Sequence, residues 1–167
     1  MSVLISDLTA RLAREVGDTD ASNLYYTSAL LITGIIDGTA DLNLQIPNQQ
    51  YTLSGSVASS SFSPNPSVED QQLIVLCAAL VLTRGEIMKS ARSAFSHSNP
   101  AGSTNLSRIP EMLDMQATRL ENKIEDILVN RSRQQVEAEL DSCGVELKGR
   151  PTEVAEGVGI TTIETTN

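Results

Sequence analysis

His97, Cys77, Cys143, the Gly157-Val158-Gly159 pair and a row of carboxylates are the places where residue type could carry chemistry. A catalytic histidine needs a partner that orients it and a reacting group within reach. His97 lies among Ser96, Ser98 and Asn99, and no cue in the sequence supplies that partner. It reads as a solvated loop histidine. Cys77 sits inside an apolar run, where a cysteine behaves as a small hydrophobe. Cys143 falls at an expected helix C-terminus, where the dipole disfavours the thiolate that a nucleophile needs. Two cysteines and one histidine make neither a disulfide framework nor a histidine-rich metal site. The glycine pair lacks the third glycine and the strand–turn–helix setting of a nucleotide fingerprint. Glu111, Asp114, Glu121, Glu125 and Asp126 read as the wet face of one helix rather than as a metal site. No enzyme, cofactor or metal is expected.

A chain of 167 residues has room for one core. It is 40% apolar and 3% aromatic, with no Trp. That supplies Leu, Ile, Val and Ala for a helical core, and too few aromatics for a large β-sandwich. Twelve Lys and Arg against 21 Asp and Glu give a net charge of −9. Phosphate backbones require clustered positive charge, so nucleic-acid binding is disfavoured. Arg131 with Arg133 and Lys89 with Arg92 are flanked by acids, and no aromatic platform exists for stacking bases. The longest apolar run, 73–82, has ten residues, about half of a membrane span. MSVLISDLTAR meets an acid at Asp7 before any long apolar stretch, so neither a signal peptide nor a membrane partner is expected. Synthesis in the cytoplasm follows, and the Asn-x-Ser matches at Asn105 and Asn130 are then accidental.

Periodicity places the elements. Leu8, Leu12 and Val16 predict a short helix over 7–16, ended by Gly17 and followed by the polar turn Asp18-Thr19-Asp20. A second helix starts near Thr27, with Leu30, Leu31, Ile35, Ile36 and Leu42 as its apolar positions. Gly34 and Gly38 cost it about 1 kcal/mol each relative to Ala, a cost tolerated where another helix comes close. Residues 42–68 hold no charge, and Pro47, Pro64 and Pro66 interrupt them. The loose alternation over 50–57 predicts a short strand or hairpin there, packed on a neighbouring chain. Ser67 to Asp70 opens a helix in the manner of a capping box, with Asp where Glu is usual. Its run 73–82 is apolar all round and belongs at the centre of the core. Arg84, Lys89 and Arg92 occupy its wet side as it continues towards Phe95.

After a loop over 97–103, a long helix begins near Ser107 or Pro110 and meets no Gly or Pro until Gly144. Leu113, Ala117, Leu120, Ile124, Ile127 and Leu128 form its core stripe, which thins beyond Val129. The far half is expected to project or to rest on another subunit. Glu121 repels Glu125, and Arg119 repels Lys123. Charges left over along one helix are often paired across a subunit contact, and Glu121, Glu125, Arg131 and Arg133 are the candidates. The tail, 145–167, is acidic beyond Pro151 and spaces Val154, Val158, Ile160 and Ile163 among Thr and Gly. It is expected to be frayed or held by a partner through strand addition. The expected architecture is all-α. About four helices over 1–144 form a bundle with an irregular insertion at 42–68, where a short β-hairpin could form, and 145–167 is an extended docking tail.

The order of these parts resembles the head-to-tail adaptor, or head-completion, proteins of tailed bacteriophages. The likeness covers about residues 4–130. It runs through the first helix, the turn Gly17-Asp18-Thr19-Asp20, the second helix and insertion, VEDQQLIVLCAALVLTRGEI, the polar loop and IPEMLDMQATRLENKIEDIL. It is a likeness of layout and hydrophobic pattern. The resemblance implies a homo-oligomeric ring, commonly a dodecamer, in the neck of the virion. Such a ring sits beneath the portal, extends the DNA channel without binding DNA specifically, and offers a surface to tail or neck proteins. It also implies that the tail docks on the portal, which would give Val154, Val158, Ile160 and Ile163 that role. A dodecamer of a −9 chain would carry on the order of −100 charges, a field that keeps DNA off channel walls. The competing expectation is a cytoplasmic helical regulatory or scaffolding protein with no place in a virion.

Overall fold

The computed structural model describes residues 3–20, 24–55, 60–96 and 108–142. They form helices α1 (Ile5–Glu15), α2 (Ser28–Gln45), α3 (Val68–Ser96) and α4 (Arg108–Ser142), with strands β1 (Thr52–Ser54) and β2 (Ser61–Ser63) between α2 and α3. The fold is therefore mostly helical, as the periodicity predicts. The chain divides into two compact units, Met1–Val129 and Asn130–Asn167.

In the first unit, α1 begins where the Asp7 carboxylate accepts the Leu4 N–H at 3.1 Å. It buries Ile5, Leu8 and Leu12, and Gly17, at φ 78°, turns the chain after its end. Only a residue without a Cβ adopts that conformation at no steric cost. The Thr27 hydroxyl caps α2 by accepting the Leu30 N–H at 3.3 Å. At the head of α3 the Ser67 hydroxyl accepts the Asp70 N–H at 3.1 Å. Every residue of α3 from Leu73 to Leu80 is buried, so this helix is the axis of the core. From α4, Ala117, Leu120 and Ile124 complete the core, with Ile127 and Leu128 partly buried against it.

The seam between α2 and α3 is set by glycine. A Cβ on Gly38 would lie 2.4 Å from the Ala78 backbone nitrogen, so the two helices touch backbone to backbone there. At Gly34 the atoms nearest to a Cβ belong to the side chain of Leu82, the first at 3.2 Å. Leu31, Ile35 and Leu42 fill the seam on either side. Leu30 and Ile36, expected in the core, instead lie on the exposed side of α2.

The uncharged insertion folds back on its own chain. β1 and β2 pair antiparallel in the register Thr52↔Ser63, Leu53↔Phe62, Ser54↔Ser61. The segment before α1 then lies along β2. The Ile5 N–H donates to the Ser60 carbonyl at 3.1 Å, and the Phe62 N–H donates to the Val3 carbonyl at 3.4 Å. Tyr51 and Phe62 are buried in the core. An uncharged, Ser-rich stretch carries no record of which surface its two aromatics enter.

In the second unit the described residues are helical from Asn130 to Ser142. Arg133, Val136 and Glu137 are exposed, and Arg131 and Leu140 are half-buried. His97, Cys143, the glycine pair and the four tail residues Val154, Val158, Ile160 and Ile163 lie outside the described residues.

Candidate assembly surface

Two polar locks hold the elements that present the surface. The first closes the link into α2. Both oxygens of the buried Asp18 carboxylate accept backbone N–H groups, from Tyr25 at 3.0 Å and Tyr26 at 2.8 Å. The Tyr25 hydroxyl donates to Glu86 on α3 at 2.7 Å, and Lys89 lies 5.4 Å from the Tyr25 ring centroid. Tyr26 packs edge-on against Tyr25, with centroids 5.0 Å apart. Its hydroxyl is pushed up to about 12 by burial first, then by Glu86, Tyr25 and Asp18. The turn signal was in the sequence, but the role of Asp18 as a double acceptor spans a loop and was not.

The second lock seats the hairpin. The Asn43 amide pairs with Tyr51 as a strand would: Nδ2 donates to the Tyr51 carbonyl and Oδ1 accepts its N–H, both at 2.8 Å. The Tyr51 hydroxyl donates to the buried Asp70 carboxylate at 2.6 Å, and the Ser67 hydroxyl donates to the same oxygen at 2.6 Å. This accounts for Asp at the position where a capping box carries Glu. The shorter side chain keeps its carboxylate inside, where it takes up Tyr51. A buried charge of this kind is held by donors that would cost about 1–3 kcal/mol each to remove.

Cys77 is buried, and its thiol is pushed up to about 12, by burial first and then by Asp41. It stays protonated and unreactive at neutral pH. Among the described residues no group of three His, Cys, Asp or Glu side chains could hold a metal ion. Among them, too, no helix is long and apolar enough to cross a membrane.

Two charges of α4 find partners on other helices, pairings that spacing along one helix does not reveal. Glu121 pairs with Arg84 of α3 and Lys123 with Glu15 of α1, each at 2.7 Å. Both pairs are largely exposed and so stabilise little. Glu121 is thus engaged inside its own chain, whereas Glu125 and Arg133 are exposed. Lys89 pairs with Glu86 at 3.6 Å, and Arg92 faces solvent.

Several large apolar side chains among the described residues are left uncovered. On α2, Leu30 is 50% exposed, Ile36 37% and Leu44 82%. With Ala29, Thr33 and Ala40 they form one outer face whose exposed charge is Asp37, bordered by the half-buried Asp41. On α4, Met112 and Met115 are 65% and 58% exposed. They line a groove of about 430 Å³ between α4 and α1, with Gln116, Arg119 and Leu120. A third surface, a groove of about 600 Å³ among α1, α3 and α4, has Val75, Leu76 and Ile127 at its base and a rim of mixed charge. No protein-family profile, curated protein or solved structure matches the chain.

Proposed function

We propose that the chain is a structural subunit of a bacteriophage neck, a head-to-tail adaptor that assembles as a ring beneath the portal. The ring continues the DNA channel and gives tail or neck proteins a surface to bind, and the subunit does so without catalysis. The observation that carries this function is the outer face of α2, where Leu30, Ile36 and Leu44 stand in water on a helix that is well packed on its other side. Several large apolar side chains exposed on one face of a folded domain suit contact with another macromolecule. The order of elements supports the same function. A short helix, an Asp-anchored turn, a second helix, an insertion and two long helices follow one another in the order on which the likeness to adaptors rests. The charge of −9 is consistent with a conduit that DNA slides through.

Sizing of the full-length chain with and without portal rings tests the proposal. Co-elution with the portal as a ring supports it. A monomer or dimer indifferent to the portal contradicts it and favours a cytoplasmic regulatory or scaffolding protein.

A further inference from the structure

We propose that the outer face of α2 on one copy seats in the methionine groove of α4 on the next, so that subunits join head to tail through two different surfaces. The inference deepens the adaptor reading and rests on it for closure of the contact into a ring. A helix docks in a groove through anchors spaced at three and four residues. Leu30, Thr33, Asp37, Ala40 and Leu44 have that spacing and are all exposed. The groove offers Met112 and Met115, whose unbranched, polarizable side chains adapt to such a surface. Charge fits as well. Lys123 and Glu15 on the groove wall neutralise each other. Arg119 is exposed there, and among the described residues it makes no ion pair. Asp37 is the exposed charge on the α2 face, with Asp41 half-buried at its edge, and in this contact Asp37 meets Arg119. The larger groove among α1, α3 and α4 suits α2 less well, because Arg11, Arg14 and Asp126 on its rim would lose water against an apolar face. Two unlike patches make a heterologous contact, which propagates as a ring or a filament, whereas a single self-complementary patch stops at a dimer.

Sedimentation velocity on the full-length protein tests this with two surface variants. Ala40→Glu/Leu44→Glu blocks the α2 face, and Met112→Glu/Met115→Glu blocks the groove. The wild-type chain associates as its concentration rises, and each variant alone sediments as a monomer. An equimolar mixture gives one pair, with the mass of one copy of each and nothing larger, because each variant keeps the surface that the other lacks. The contact is refuted if the wild type stays monomeric, if either variant assembles like the wild type, or if the mixture forms no pair. Should a variant lose its helical circular dichroism, Asp37→Arg and Arg119→Asp replace the pair. Each then weakens association alone, and together they restore it; failure of that rescue also refutes the contact. Association by these rules in a chain that ignores portal rings removes the adaptor reading and leaves the contact standing.

Discussion

The two sides of α2 carry similar residues under opposite rules. Inside, Leu31, Ile35 and Leu42 flank Gly34 and Gly38, and the helix lies against the backbone of α3. Outside, Leu30, Ile36 and Leu44 are as apolar, and no element among the described residues buries them. Hydrophobicity alone does not distinguish a face that folds from a face that assembles. The glycines do, because a missing Cβ is useful only where another backbone arrives. Substitutions that disturb the inner face should damage the fold, and those on the outer face should leave it intact.

The largest effect is expected from Leu76→Asp, which puts an unpaired charge at a buried position of α3. Loss of about 4–5 kcal/mol or more should leave no cooperative thermal transition by circular dichroism. Gly38→Ala comes next. Its Cβ would fall 2.4 Å from the Ala78 nitrogen, backbone that cannot swing aside, so urea titration should show a loss of about 3 kcal/mol. Gly34→Ala is the contrast within the same seam. There the Leu82 side chain can rotate, and the gain of about 1 kcal/mol in helix propensity offsets the crowding. The net change should stay within about 0.5 kcal/mol.

Tyr51→Phe removes one donor from buried Asp70 and should cost about 1–2 kcal/mol in the same titration. The effect at Cys77 is confined to alkaline solution. Its thiol titrates at about 12 in the folded chain against an ordinary 9.0. Below pH 9.0 both states hold the proton, whereas between 9.0 and about 12 only the unfolded chain releases it. Stability should therefore fall as pH rises through that window, and Cys77→Ala should flatten the fall. Tyr26, raised from 10.0 to about 12, adds to the loss at the upper end. The smallest effect on folding belongs to the outer face: Leu44→Ser should change the unfolding free energy by no more than about 0.5 kcal/mol. If it destabilises as Gly38→Ala does, the division between the two faces is wrong.

Local signals were legible. Gly17, Thr27 and the Ser67–Asp70 start marked helix ends because caps and left-handed turns act within one turn of chain. The run 73–82 announced the buried axis because an all-apolar helix has no wet side to present. Long-range pairings were not legible. Lys123 finds Glu15 and Arg84 finds Glu121 only after the helices pack. Asn43 imitates a strand for Tyr51, which no periodicity encodes. The outer face of α2 was hidden for a related reason. Leu30 and Ile36 look like core residues in a helix that is apolar on both sides, and only the packed structure shows which side α3 takes.

Negative-stain electron micrographs of the full-length chain mixed with portal rings test the central claim most directly. A closed ring of added density stacked on one end of each portal is the predicted result. Bare portals among scattered single subunits would contradict it.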